Sequence, residues 1–205
     1  MILMSIEAMQ KELKKRLKPS RYEHSLGVME TAVQLAKRFG VDEEKARVAG
    51  LLHDCAREYK NELLYHEAVR RGIAFGAIEQ AMPILLHAYI GAYRVTELYG
   101  VSDEAIEQAI WRHTVGAPGM TKLDKIIWFA DMIEPHRDYP EVEELRRLAR
   151  EASLDDMVLE GLSQSISFVA QKGHMIHPDT VLARNEILLH KMVQAKKDKN
   201  KKTQG

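Results

Sequence analysis

Four histidines and two aspartates in this chain are of the types that hold divalent cations, and each sits in an apolar setting. His53 and Asp54 stand side by side at the end of Gly50-Leu51-Leu52-His53-Asp54. A helical period over Asp42 to about Ala56 places Ala46, Ala49, Gly50 and His53 on one inward stripe. A carboxylate beside a core costs several kcal/mol unless it is paired, hydrogen-bonded or bound to a cation. His24 shares a stripe with Val28, Ala32 and Leu35, and His113 shares one with Ile106 and Ile110. Asp131 interrupts the apolar face of Leu123 and Ile127, with Glu134 beside it, and His87 lies within Ile84-Leu85-Leu86-His87-Ala88-Tyr89-Ile90. Taken singly, each histidine reads as a core residue with one hydrogen bond. Six such groups on five helices would need unrelated partners for each, whereas a shared cation satisfies them all. Helical-bundle cores are known places for such sites. Imidazole and carboxylate donors without thiolate suit iron, manganese, cobalt, nickel or zinc rather than calcium.

A cation held by few protein ligands keeps positions open for water. It lowers that water's pKa from about 15.7 toward roughly 7 and polarises a phosphoryl oxygen. That combination suits hydrolysis of a phosphate ester or anhydride. A polyphosphate would need cationic side chains nearby, and Arg21, Arg57, Lys125, Arg137 and Arg184 are the candidates. Arg21 precedes His24 by three residues, Arg57 follows Asp54 by three, and Arg137 lies in the loop six residues after Asp131.

The elements that must carry these groups are all helical in period. Helices are expected over 5–17, from a capping box at Ser20-Arg21-Tyr22-Glu23 to Phe39 with Gly40 as its stop, and from Asp42 to about Ala56. Others are expected over 61–71, from Pro83 to Tyr99, from Ser102 or Asp103 to His113, and from Thr121 to about Glu134. The last three cover 141–150, 154–172 and about 179–195. The architecture is therefore all-α, one bundle-like domain over 1–195, followed by a frayed lysine-rich tail over 196–205.

Thirty basic and thirty acidic residues balance, which argues against nucleic acid or an anionic membrane as the main partner. Cys55 is the single cysteine, so no disulfide framework exists and a reducing compartment is expected. No apolar run reaches membrane-spanning length, and the first residues lack a signal-peptide core, so the expected location is the cytoplasm.

The order His24, His53-Asp54, Asp131 is the pattern of the HD-domain phosphohydrolase superfamily. Further stretches resemble the bacterial YqeK family: Arg21 to Val28, Ala49 to Asp54, His113 to Met120, Ala130 to Asp138, Ile176-His177-Pro178, and Ala183-Arg184-Asn185. The resemblance spans roughly 20–190. It implies symmetrical hydrolysis of diadenosine tetraphosphate to two ADP, with iron as the metal and one or two ions bound. It also implies that His24, His53, Asp54 and Asp131 ligate a metal, and that His87 and His113 complete a second metal site or meet phosphate. Arg21, Arg57, His87, Thr114, Arg137, His177 and Arg184 would face the nucleotide. Asp54 is the candidate general base, and His113, at a helix end that favours imidazolium, is the candidate donor to a phosphoryl oxygen. Two departures from the family stand out, Cys55 where a larger residue is usual and His136 where asparagine is. Alternative readings are another nucleotide phosphohydrolase, acting on nucleoside mono- or triphosphates or guanosine tetraphosphate, and a non-catalytic nucleotide-binding module. A homodimer is left open.

Overall fold

Eleven α-helices and one 3-10 turn follow one another in a computed structural model that describes residues 1–203, with side chains described through 199. The first helices are α1 (Ile6–Arg16), α2 (Pro19–Phe39), α3 (Glu43–Leu52), α4 (Asn61–Arg70) and α5 (Ala77–Ala81). A 3-10 turn, Pro83–Leu85, leads into α6 (Leu86–Tyr99), and α7 (Glu104–Arg112) and α8 (Lys122–Ile133) follow. The chain closes with α9 (Val142–Glu151), α10 (Leu154–Gln171) and α11 (Pro178–Thr203). No strand forms among the described residues; one isolated bridge joins Ile2 to Val101.

Most helix ends have a local cause. The Asp42 carboxylate accepts the Glu44 and Lys45 N–H groups at the start of α3. Asp103 does the same for Ala105 and Ile106, and Thr121 and Asp124 form a reciprocal box at α8. Gly40 and Gly100 close α2 and α6 at φ 66° and 62°, in the left-handed region where a side chain is strained.

Four expectations need correction. The box at Ser20 does not form: Pro19, whose fixed φ suits a first turn, begins α2 with Lys18 as its cap. Helix α3 stops at Leu52 rather than Ala56, because i→i+3 bonds (Cys55 to Leu52, Arg57 to Asp54) tighten the chain into turns. The short α5 was not expected; it is closed by the Glu79 carboxylate, which accepts the Gly76 N–H at 3.0 Å. The tail expected over 196–205 continues α11 through Thr203, and its last two residues lie outside the described ones. Lys, Ala, Gln and Asp are tolerated in a helix, no glycine or proline falls between Asp179 and Thr203, and Gln194 bonds Asp198 one turn on.

Helix α2 packs along α3 and α8, and α7 bridges α3, α6 and α8, so the stripes of α2, α3, α6, α7 and α8 meet at one centre. Backbones come close at Gly50, where a Cβ would stand 2.9 Å from the Cα of Met29. Alanine there gains about 0.5–1 kcal/mol of helix propensity but pushes on backbone, which costs about 1–3 kcal/mol. Gly50→Ala is therefore expected to lower Tm by roughly 2–6 °C. A thermal melt with Tm unchanged or raised would show that α2 and α3 separate freely.

Candidate metal centre and active site

The six candidate ligands converge. His24 comes from α2, His53 and Asp54 from the turn after α3, His87 from the first turn of α6, His113 from the end of α7, and Asp131 from α8. The His24 and His53 Nε2 atoms lie 3.2 Å apart, and those of His87 and His113 lie 3.1 Å apart. Asp131 Oδ1 is 3.0 Å from His24 Nε2 and 4.0 Å from His53 Nε2. Asp54 divides its oxygens. Oδ2 lies 3.5 Å from His53 Nε2, while Oδ1 lies 3.1 Å from His87 Nε2 and 3.7 Å from His113 Nε2.

The outer nitrogen of every imidazole is held. Nδ1 of His53 faces the Gly50 carbonyl, that of His87 the Ile84 carbonyl, and that of His113 the Ile110 carbonyl. Nδ1 of His24 faces Glu134 Oε1 at 3.0 Å. A carbonyl oxygen can only accept, so the proton sits on Nδ1 and the lone pair on Nε2, pointing to the centre. Facing lone pairs at 3.1–3.2 Å repel unless a proton or cation lies between them. Two nitrogens about 2.1 Å from one cation, at close to a right angle, would have nearly this spacing. His24-His53-Asp131 and His53-Asp54-His113 are each close enough to share an ion. The donor set fits a divalent transition metal.

The electrostatics of His53, His87 and the two acids agree with that fit. Burial pushes the His53 pKa down to about 4, which keeps the ring neutral and able to ligate. Burial also lowers His87. Burial alone would raise Asp54, but His53, His113 and His87 outweigh it and hold the carboxyl well below the usual range. Asp131 is likewise held down against burial by His24, His53 and Arg137. Both acids therefore stay ionised. The Asp131 side chain is 21% exposed where Asp54 is 4%, so the centre opens on the Asp131 side.

Three arginines stand near these acids. Arg21 donates to Asp54 Oδ2 at 2.8 Å, and Arg137 donates to both the carboxylate and the carbonyl of Asp131. The Arg57 guanidinium is half-buried within electrostatic reach of Asp54 and Asp131, and no side-chain hydrogen bond or ion pair commits it among the described residues. Thr114 Oγ1 lies 3.2 Å from His113 Nε2 and 3.4 Å from His87 Nε2. The other candidates are engaged elsewhere. His177 accepts the Asp179 N–H at Nδ1, so its Nε2–H donates to Glu79 at 3.1 Å. Arg184 is held by Ser163 and Asn185, and Lys125 by Asp155.

Two acids had no role in the sequence reading. Glu134, 1% exposed, anchors His24, and its place three residues after Asp131 on one helix was the available signal. Glu79, 6% exposed, ties Tyr89 and His177 together; its local bond to the Gly76 N–H marks it only as a cap, and its ring partners lie 10 and 98 residues away.

A helical domain whose core gathers His, His-Asp and Asp from separate helical segments defines a recognised class of protein. The model of the HD domain family matches residues 21–156, and the chain belongs to that family. More particularly, it is 42% identical over 181 residues to a symmetrical bis(5'-nucleosyl)-tetraphosphatase of Halalkalibacterium halodurans, covering 86% of this chain and 94% of the relative. The protein of the same name in Bacillus subtilis (strain 168) is 40% identical over 173 residues, 84% of this chain and 92% of that one. A crystal structure of a predicted HD superfamily hydrolase involved in NAD metabolism from Clostridium acetobutylicum superposes with a TM-score of 0.87 at 39% identity. It covers 92% of this chain and 99% of the other. No helix among the described residues is long and apolar enough to cross a membrane.

Proposed function

We propose that this chain hydrolyses diadenosine tetraphosphate symmetrically to two ADP, using a divalent metal at the His/Asp centre. The observation that carries the reading is the convergence of four imidazole Nε2 atoms and two ionised carboxylates on one centre, with Arg57 beside them. Relatives at 40–42% identity over most of the chain carry that activity in their names.

His24, His53, Asp54 and Asp131 are the proposed ligands of a first ion. His87 and His113, facing the other oxygen of Asp54, would hold a second ion or meet phosphate directly. Iron is the proposed metal, in keeping with the nitrogen and oxygen donor set. Such a cation acidifies water and polarises a phosphoryl oxygen. Asp54 is ionised and can accept a proton at either oxygen; its weak basicity makes that transfer useful only from an acidified water. Thr114 Oγ1 can donate to a phosphoryl oxygen beside His113. Arg57, whose side-chain donors have no hydrogen-bond partner among the described residues, is best placed to bind phosphate, while Arg21 and Arg137 keep the two acids aimed inward. His177 and Arg184 would reach the nucleotide from the loop before α11 and from α11 itself. A single buried cysteine suits a reducing compartment, and the cytoplasm is the proposed location.

Incubation of purified, metal-loaded protein with diadenosine tetraphosphate, followed by ion-exchange chromatography, should yield ADP as the only nucleotide product. Equal AMP and ATP would place the cleavage elsewhere in the polyphosphate. Turnover only of nucleoside mono- or triphosphates, or of guanosine tetraphosphate, would replace the proposed substrate.

A further inference from the structure

His24 reaches the centre with one ring nitrogen and is held by the other. Its Nδ1–H donates to Glu134 Oε1 at 3.0 Å. The second oxygen of Glu134 is also occupied. It accepts the His136 backbone N–H at 2.7 Å and meets His136 Nδ1 at 3.0 Å, and Arg137 Nε stands 4.0 Å from Oε1. One turn at the end of α8 thus supplies a group to each nitrogen of His24, Asp131 to Nε2 and Glu134 to Nδ1.

This close approach depends on Gly27, three residues after His24 on α2. A Cβ at Gly27 would stand 2.5 Å from Glu134 Oε2, and 3.3 Å from both Pro135 Cδ and His136 Nδ1. Glycine inside a 21-residue helix is unfavourable by its backbone freedom, so the position has a use other than helix formation. The first atom that an added methyl meets is the end of the Glu134 side chain rather than backbone. Alanine therefore fits if the carboxylate swings away from His24.

We infer that Glu134, admitted by Gly27, is a positioning residue for metal binding: it fixes the proton of His24 on Nδ1 and aims Nε2 at the cation. The inference rests on the reading of His24 as a ligand. A carboxylate accepting the far N–H of a ligating imidazole sets its tautomer and raises its basicity, and losing one typically weakens metal binding about 10–100-fold.

The test is calorimetric titration of Mn²⁺ into metal-stripped wild type, Gly27→Ala and Glu134→Gln. Glutamine offers one oxygen where the structure uses two, and Gly27→Ala removes no polar group at all. Both variants should bind Mn²⁺ about 10–100-fold more weakly. The Mn²⁺ concentration for half-maximal turnover should rise in parallel, and excess Mn²⁺ should restore turnover to Gly27→Ala. If the glycine served only packing, alanine would leave the Mn²⁺ Kd unchanged while shifting Tm. A Gly27→Ala Kd within about twofold of wild type overturns the inference and leaves the metal reading standing. A wild type that takes up no Mn²⁺ sinks both. Should Gly27→Ala not fold, Glu134→Gln decides alone on the same Kd criterion.

Discussion

Asp54→Asn is expected to remove both bound metal and activity while the helices persist. Asp54 faces both imidazole pairs, with Oδ2 toward His53 and Oδ1 toward His87 and His113. Asparagine keeps the shape but loses the charge, and it turns an NH₂ donor toward Arg21 or toward nitrogens that already share the centre. A divalent cation contributes several kcal/mol of transition-state stabilisation, and each 1.36 kcal/mol is tenfold in rate. Turnover should therefore fall by about a thousandfold or more. Elemental analysis and circular dichroism check the two halves of the expectation. Full metal content in a folded Asp54→Asn protein would show that the cation sits elsewhere or does not need this carboxylate.

His113→Gln is expected to cut turnover at least about tenfold with little change in Tm, the loss of a hydrogen bond to a charged group being worth about 1.5–3 kcal/mol. His113 is 2% exposed, and its Nε2 lies 3.1 Å from that of His87 and 3.2 Å from Thr114 Oγ1. Its Nδ1 is held by the Ile110 carbonyl at 2.7 Å, so only Nε2 can meet an ion or a phosphoryl oxygen. Glutamine preserves a polar group of similar reach but carries neither the proton of an imidazolium nor the imidazole lone pair. A large Tm loss with turnover per folded molecule intact would make His113 a packed core residue. Metal titration of the same variant separates the two functional roles. A lost second equivalent of metal points to ligation, and an unchanged stoichiometry with reduced turnover points to phosphate contact.

The helices and six inward polar groups were legible in the sequence because both signals are local. A 3.6-residue period assigns a face to each residue from its near neighbours alone. His24 beside Val28 and Ala32, or Asp131 beside Ile127, can be placed inward without knowing what lies opposite. The caps at Asp42, Asp103 and Thr121 were legible for the same reason, since each bonds N–H groups two or three residues away. Where two local signals competed, at Pro19 against the Ser20 box, the fixed backbone angle of proline set the start. The end of α3 was misplaced because the turns at 53–58 interrupt a pattern that periodicity would carry on to Ala56.

What only the tertiary structure decided was partnership. That Asp54 gives one oxygen to each histidine pair depends on α2, α6 and α7 arriving at one centre from far along the chain. Glu134 became the anchor of His24, 110 residues away, and Gly27 the opening that admits it. Glu79 gained His177 at a separation of 98 residues. Among the arginines, sequence proximity to a ligand marked Arg21, Arg57 and Arg137 alike. Packing then committed two of them to acids and gave Arg57 no such bond among the described residues, because hydrogen-bond satisfaction depends on what the fold brings within about 3 Å, which local spacing does not carry.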